Sequence, residues 1–335
     1  MKNRFMNVCD AEASLAAQEE FQADSWYYFG RLFDEETGEE YDYLLHNTKV
    51  DGGEGRPRFA WQQVAFTNIT KGTRVFDHKV YPIDDLKASK EKLEVIMPES
   101  TIMGNGTEMQ IKANTPAGDL DLVVKPKGPV LYYNSGVFPF IKGTPNWEYA
   151  FPKMDTQGTF TLDGKKLKVS GQSFFDRQWL NFPPIVLTND FKWSWFAINL
   201  DNGYVITVWD VLWKEGDGEA EESFACVLSP EGANITAPVV PLAKNASDVW
   251  ESPISGRRYN NKWIIEIPSL ETKLEVATTN HGNEMLSSAA MARPKGQQKP
   301  LHGLEHNMQT PANAKGIFQG QEVTGICHME LVGGW

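Results

Sequence analysis

Short runs of β-branched, aromatic and alternating residues, each stopped by Gly, Pro, Asn or Asp, recur along nearly the whole chain. This punctuation constrains the fold more than any other feature. Segments so short are strands rather than helices, and turn signals at this spacing point to barrels or sandwiches. The first half contributes residues 26–33, 41–48, 60–69, 91–97, 108–114 and 119–124. The second contributes 157–162, 166–172, 193–200, 204–213, 222–229, 262–267, 272–278, 314–319 and 322–331. Asn202-Gly203, between two aromatic-rich runs, is a strong two-residue hairpin signal. A second hairpin closes near Pro116-Ala117-Gly118, where Asp119-Leu120-Asp121-Leu122 alternates carboxylates with leucines. Residues 11–22 read as the one short helical stretch. Residues 129–154 and 285–312 read as nearly strandless, the latter as a surface loop or lid.

A length of 335 residues suits about two domains. The expectation is therefore all-β, with strand-rich halves at 20–154 and 155–335. The 11 Trp, 18 Phe and 10 Tyr supply cores and exclude a disordered chain. A net charge of −12 opposes binding to nucleic acid or to an anionic membrane surface. The N-terminus lacks the apolar core of a signal peptide, and no window is apolar for long enough to cross a bilayer. The expected location is cytoplasmic, with no integral membrane segment; a homodimer is compatible with the sequence. Cys9, Cys226 and Cys327 are too scattered for a disulfide framework or a metal knuckle, and the last two read as buried filler.

Motifs for common chemistries are missing. There is no Gly-x-Gly-x-x-Gly after a strand, no Walker A, no His-Glu-x-x-His and no Gly-x-Ser-x-Gly elbow, so no cofactor is expected. His302 and His306 are four apart, but Gly303 and Pro300 oppose the helix that would align them on a metal, and no metal site is assigned. His281, near Glu284, reads either as a general base or as an exposed turn imidazole. The densest segment is 171–213, with Asp176, Arg177, Trp179, Trp193, Trp195 and Asp210. Asp210 interrupts an apolar strand, where a charged carboxylate is costly. It must either pair with a cation such as Arg177 or stay protonated, and a protonated acid beside aromatic walls can protonate an alkene. Arg177 reads as a substrate clamp or as a structural partner of Asp176 or Asp210.

At this segment a resemblance emerges. Ser173-Phe-Phe-Asp-Arg-Gln-Trp179, Trp193-Ser-Trp195-Phe and Leu200-Asp-Asn-Gly203 resemble motifs of the carotenoid 1,2-hydratase (hydroxyneurosporene synthase), AttH-like and kievitone hydratase family. Ser25-Trp-Tyr-Tyr-Phe-Gly30, Trp250-Glu-Ser-Pro-Ile-Ser-Gly256 and Gly325-Ile-Cys-His-Met-Glu-Leu331 match further segments in order. The resemblance spans residues 20–335 and implies two tandem lipocalin-like (calycin) β-barrels. It also implies hydration of prenyl or terpenoid double bonds, or pericyclic cyclisation, of the kind met in secondary metabolism. Arg177, Trp179 and Asp210 fall at positions implicated in the family's chemistry. Arg177 stands where the family has His; a permanently charged group suits orienting a carbonyl or anion rather than shuttling a proton.

The function so implied is a cofactor-independent lyase or isomerase, hydratase-like. Its substrate is a hydrophobic prenylated, terpenoid, polyketide or phenolic small molecule. Asp210 is the expected general acid, Arg177 orients the substrate or tunes Asp210, and Trp179 and Trp195 stabilise positive charge. Trp193, Asp176, Tyr28 and His281 complete the expected cavity. The rival readings are a lipocalin-like binding protein without chemistry, and a pericyclase that folds a reactive chain.

Overall fold

Hydrophobic alternation becomes antiparallel pairing almost everywhere in the computed structural model, which describes residues 9–53, 58–182, 190–292 and 306–333. The chain divides into two units, Met1–Phe182 and Pro183–Trp335. The first carries β1 (Ala23–Asp34), β2 (Glu40–Asp51), β3 (Arg58–Asn68), β4 (Thr73–Pro82), β5 (Lys87–Ala88) and β6 (Leu93–Met97). It continues with β7 (Ser100–Gly104), β8 (Met109–Thr115), β9 (Gly118–Pro126), β10 (Leu131–Phe140), β11 (Thr144–Leu162) and β12 (Lys165–Leu180). The second carries β13 (Phe191–Leu200), β14 (Val205–Glu215), β15 (Gly218–Leu228), β16 (Asn234–Pro238) and β17 (Ala246–Glu251). It ends with β18 (Arg258–Ile267), β19 (Thr272–Thr278), β20 (Glu284–Leu286), β21 (His306–Phe318) and β22 (Gln321–Gly333).

Both sheets follow one plan. In the first unit the order is β4-β3-β2-β1-β12-β11-β9-β8-β7-β6-β5, and in the second β16-β15-β14-β13-β22-β21-β19-β18-β17. The first strand of each unit pairs with its last, and the two edge strands are consecutive in the chain. Residues 83–86 join β4 to β5 and can span at most about 15 Å, whereas a flat sheet would set those strands about 48 Å apart. Residues 239–245 face the same demand in the second unit, about 25 Å against about 38 Å. Each sheet must curl until its edges approach, which is the lipocalin-like all-β architecture. Each interior is apolar: Tyr28, Tyr43, Phe66, Ile111, Phe160 and Phe175 in the first unit, and Phe196, Ile206, Val208, Ile265, Leu274 and Met329 in the second.

Several expectations change. The boundary after residue 154 falls inside β11, whose hairpin with β12 belongs to the first sheet; the division lies between Phe182 and Pro183. The stretch 129–154 is not strandless, since it holds β10 and the start of β11. Its prolines misled the reading: Pro139 lies opposite Pro145, and β10 pairs only with β11, so a missing N–H breaks no central ladder. The helical stretch at 11–22 reduces to one 3₁₀ turn, Ala13–Leu15. The expected lid is bordered by β20, a short helix α1 (Ser288–Met291) and β21, while residues 293–305, with His302, lie outside the described residues. The hairpin at Pro116-Ala117 forms as read, with Thr115 opposite Gly118 and Leu120 and Leu122 buried.

Candidate functional site

Strand alternation distributes the expected site residues over different faces. In the first unit, Tyr28, Arg177 and Trp179 project to the interior, while Asp176, one residue from Arg177, takes the opposite side of β12. Tyr28 stacks on Phe175 at 4.2 Å and donates its hydroxyl to Met109 Sδ at 3.2 Å, so it is core. Arg177 is fully buried. Its Nε donates to Ser14 O at 3.0 Å and its Nη2 to Ala16 O at 2.8 Å. Its Nη1 donates to Ser25 O at 3.0 Å, to Gln178 O at 3.2 Å and to the Asp24 carboxylate. The guanidinium carbon lies 4.3 Å from the Trp26 ring and 5.2 Å from that of Trp179. Trp26 Nε1 in turn donates to Leu15 O at 3.1 Å.

This corrects the reading of Arg177. Its anionic partner is Asp24, and the rest of its fork is spent on backbone carbonyls, those of Ser14 and Ala16 at the 3₁₀ turn among them. The group latches residues 14–16 onto the sheet, and Trp26 and Trp179 sandwich it. A clamp for substrate needs donors that the chain has not already taken.

In the second unit, Asp210 shares its face with Ile206 and Val208, both interior. It is 1 % exposed. Ser223 Oγ donates to its Oδ1 at 2.6 Å, and the Leu242 N–H approaches the same oxygen at 3.4 Å. Its Oδ2 has no hydrogen-bond partner among the described residues. Burial, reinforced by the neighbouring Glu221 carboxylate and opposed by Ser223, holds the Asp210 proton up to about 7. Asp210 therefore keeps the protonated option that its apolar strand requires.

Trp193 and Trp195 do not accompany it. Asp210 lies opposite Ser194, and Trp195 lies opposite Trp209, so the tryptophans occupy the other face of the sheet. The expected pairing of Asp210 with the Trp195 ring is thus replaced by Asp210 with Glu221, Ser223 and Ser194. The tryptophan face has its own carboxylate, Glu330, which receives Trp193 Nε1 at 2.8 Å and Gln309 Nε2 at 2.6 Å. His281 lies at the surface, 55 % exposed, with Nε2 3.0 Å from Asp248 Oδ2. It fits the turn reading.

Glu284, which the sequence sets near His281, is instead the centre of a buried cluster. Ser255 Oγ donates to its Oε1 at 2.5 Å, Tyr259 OH donates to the same oxygen at 2.9 Å, and Ser252 Oγ donates to Oε2. The Tyr259 hydroxyl also lies 3.0 Å from His306 Nδ1. Register connects this cluster to Asp210: Ser223, Asp210, Ser194, Leu331, Met308 and Glu284 form one continuous rung across β15, β14, β13, β22, β21 and β20. Sequence reading missed Glu221, Tyr259 and Glu330. The signal for Glu330 was present, since it interrupts an apolar closing strand just as Asp210 does; the others depend on long-range pairing. Among the described residues no group of three His, Cys, Asp or Glu is placed to hold a metal ion. The three cysteines are buried thiols, and no described helix is long and apolar enough to cross a membrane.

The AttH-like family model matches residues 11–292. Among solved structures, an AttH protein of Nitrosomonas europaea has a TM-score of 0.80 at 16% identity, over 98% of this chain and 97% of that one. Kievitone hydratase of Nectria haematococca gives 0.78 at 16% identity, over 98% and 94%. CghA, solved with Sch210972, gives 0.59 at 13% identity, over 93% and 88%. At these identities the likeness is one of fold. No curated protein sequence matches the chain. With the family model spanning most of its length and the same motifs in the same order, the chain belongs to the AttH-like family.

Proposed function

We propose that this chain is a cofactor-independent hydro-lyase or isomerase acting on a hydrophobic small molecule of prenylated, terpenoid, polyketide or phenolic type. Asp210 is its general acid. One observation carries the reading: a buried carboxyl on an interior face, holding its proton to about 7, with one oxygen fixed by Ser223. Asp210 gives its proton to one carbon of a double bond, and positive charge develops on the other. In hydration, water bonds to that carbon and returns a proton to the Asp210 carboxylate. In isomerisation, the adjacent carbon loses the proton instead. Glu221 disfavours the ionised form of Asp210 and so drives reprotonation. Family membership supports a reaction of this class, and a hydratase lies among the proteins of similar fold.

The test is a panel of prenylated phenols, terpenoids and polyketides, screened by mass and retention time. A hydration adds 18 Da and an isomerisation changes only retention. Asp210→Asn should lower turnover about a hundredfold or more, the scale of a lost general acid. Near-wild-type turnover would remove Asp210 from the role. A second reading, a pericyclase, is favoured by the separation of the tryptophan face from Asp210. It expects Asp210→Asn to be tolerated and Trp195→Ala to abolish turnover. Binding with no new product would leave a carrier.

A further inference from the structure

The first unit has a cavity of about 290 Å³ of its own, at the end of the sheet where its hairpins turn. The start of β2, the β3–β4 hairpin, the β8–β9 turn and the β11–β12 hairpin line it. Register decides which side chains face it. Val75 lies opposite Phe66, a core residue, so both leave their strands on the inward face. Phe66 is buried, but Val75 is 41 % exposed, with the cavity over it. Across the β11–β12 turn Leu162 lies opposite Lys165. Leu162 packs against the core, so Lys165 leaves β12 on that same inward face. Ala117, at the β8–β9 turn, completes the apolar wall.

The charges of the lining differ in how far they are engaged. Glu39 is neutralised in place: Lys71 Nζ lies 2.6 Å from its Oε1, and Asn68 Nδ2 and Tyr41 OH each donate to its Oε2 at 2.9 Å. Together they hold its carboxyl down to about 2. Arg74 lies opposite Thr67, on the outward register, and donates to Thr67 Oγ1 at 3.3 Å. Asp163 has a backbone reason for its place, since it takes a φ of 50° at the first position of the hairpin turn, where Asp is favoured. Lys165 has neither. Among the described residues it forms no ion pair, and Asp34, which feels its charge, is held by Thr37 Oγ1 at 2.6 Å and by the Glu36 N–H at 3.3 Å. An open apolar wall with one available ammonium beside it is complementary to an amphipathic anion.

We propose that this cavity binds a small amphipathic acid, with its apolar body against Phe66, Val75, Leu162 and Ala117 and its carboxylate on Lys165. The site belongs to the first unit and the Asp210 acid to the second, so it is additional to the site of the proposed reaction. The volume stands at the lower end of the range of ligand pockets, about 300–1,000 Å³, which suits a compact ring system rather than a long chain. A single ammonium suits a monoanion, since the Asp163 and Glu39 carboxylates oppose a more highly charged head.

The test uses the whole chain and two probes of nearly equal shape, indole-3-acetate and the uncharged indole-3-acetamide, titrated by saturation-transfer NMR. The wild-type protein should bind the acetate about two- to fivefold more tightly than the amide, the scale of an exposed ion pair. Lys165→Gln should remove that difference by weakening the acetate alone. Val75→Asp, which sets a like charge in the apolar wall, should weaken the acetate at least about tenfold. Both side chains are exposed, and the urea midpoint checks that the variants fold. If Val75→Asp does not fold, Lys165→Gln decides alone. No acetate binding at millimolar concentration, equal binding of the two probes, or wild-type acetate binding in either variant would overturn the site. Asp210→Asn should bind both probes like wild type; loss of acetate binding there would overturn the assignment to the first unit. Asp210→Asn turnover, by contrast, tests only the reaction.

Discussion

Single residues set the chemistry, and two of them can be separated by pH. The Asp210 carboxyl is raised from 3.8 to about 7 by burial, so the folded state binds a proton that the unfolded chain has already released. Its stabilising contribution is complete below pH 3.8 and disappears as pH rises through 7, on the order of 2–4 kcal/mol. Asp210→Asn should therefore flatten the fall in urea midpoint between pH 4 and 8 and be more stable than wild type at pH 8. A variant that keeps the wild-type slope would show that another group titrates there. Arg177 is expected to matter for folding rather than turnover. Arg177→Met leaves Asp24 buried without its cation and frees the 3₁₀ turn, a loss of about 3 kcal/mol or more in denaturant unfolding. An unchanged midpoint would mean that the latch contributes nothing. The sequence marked both residues as anomalies, charges in apolar strands, but it could not say that Arg177 would meet Asp24, because that partner lies across the β1–β12 pairing.

Elements fix which face each residue sees. The β1–β12 pair is tight: a Cβ on Gly171 would lie 2.3 Å from Arg31 O, and one on Gly30 would lie 2.5 Å from Gln172 O. Gly171→Ala should cost about 1–3 kcal/mol by forcing the ladder apart, read as a lower urea midpoint. A neutral effect would show that the strands can part without strain. Alternation along one strand was legible in the sequence, as Asp119-Leu120-Asp121-Leu122 shows. Alternation between strands was not. Trp193 and Trp195 could be placed on one face of β13, and Asp210 on one face of β14, but only the register Ser194 opposite Asp210 shows that those faces differ. The same limit hid the rung from Ser223 to Glu284, which joins strands far apart in the chain.

The whole molecule responds to acid through groups that folding keeps neutral. His78 is 2 % exposed, and burial lowers its imidazole from 6.5 to about 3. The unfolded chain therefore takes up a proton that the native state refuses between those values. Stability from this source is complete above pH 6.5 and drains away as pH falls toward 3. His78→Gln should reduce the acid sensitivity of the urea midpoint in that window, opposite in sign to the effect of Asp210. A midpoint equally acid-sensitive in the variant would assign the loss to other groups. The amino-acid sequence by itself determined the all-β class, the strand rhythm, the two-part build and the acidic, aromatic-rich character, since these follow from local periodicity and composition. Tertiary structure alone decided that the first strand of each unit closes on the last, that the division comes after Phe182, and that Arg177 is a latch. It also decided that Asp210 and Glu330 stand on opposite faces with separate companions. Those facts rest on pairing between distant segments, and a one-residue change of register would invert them without altering any local pattern.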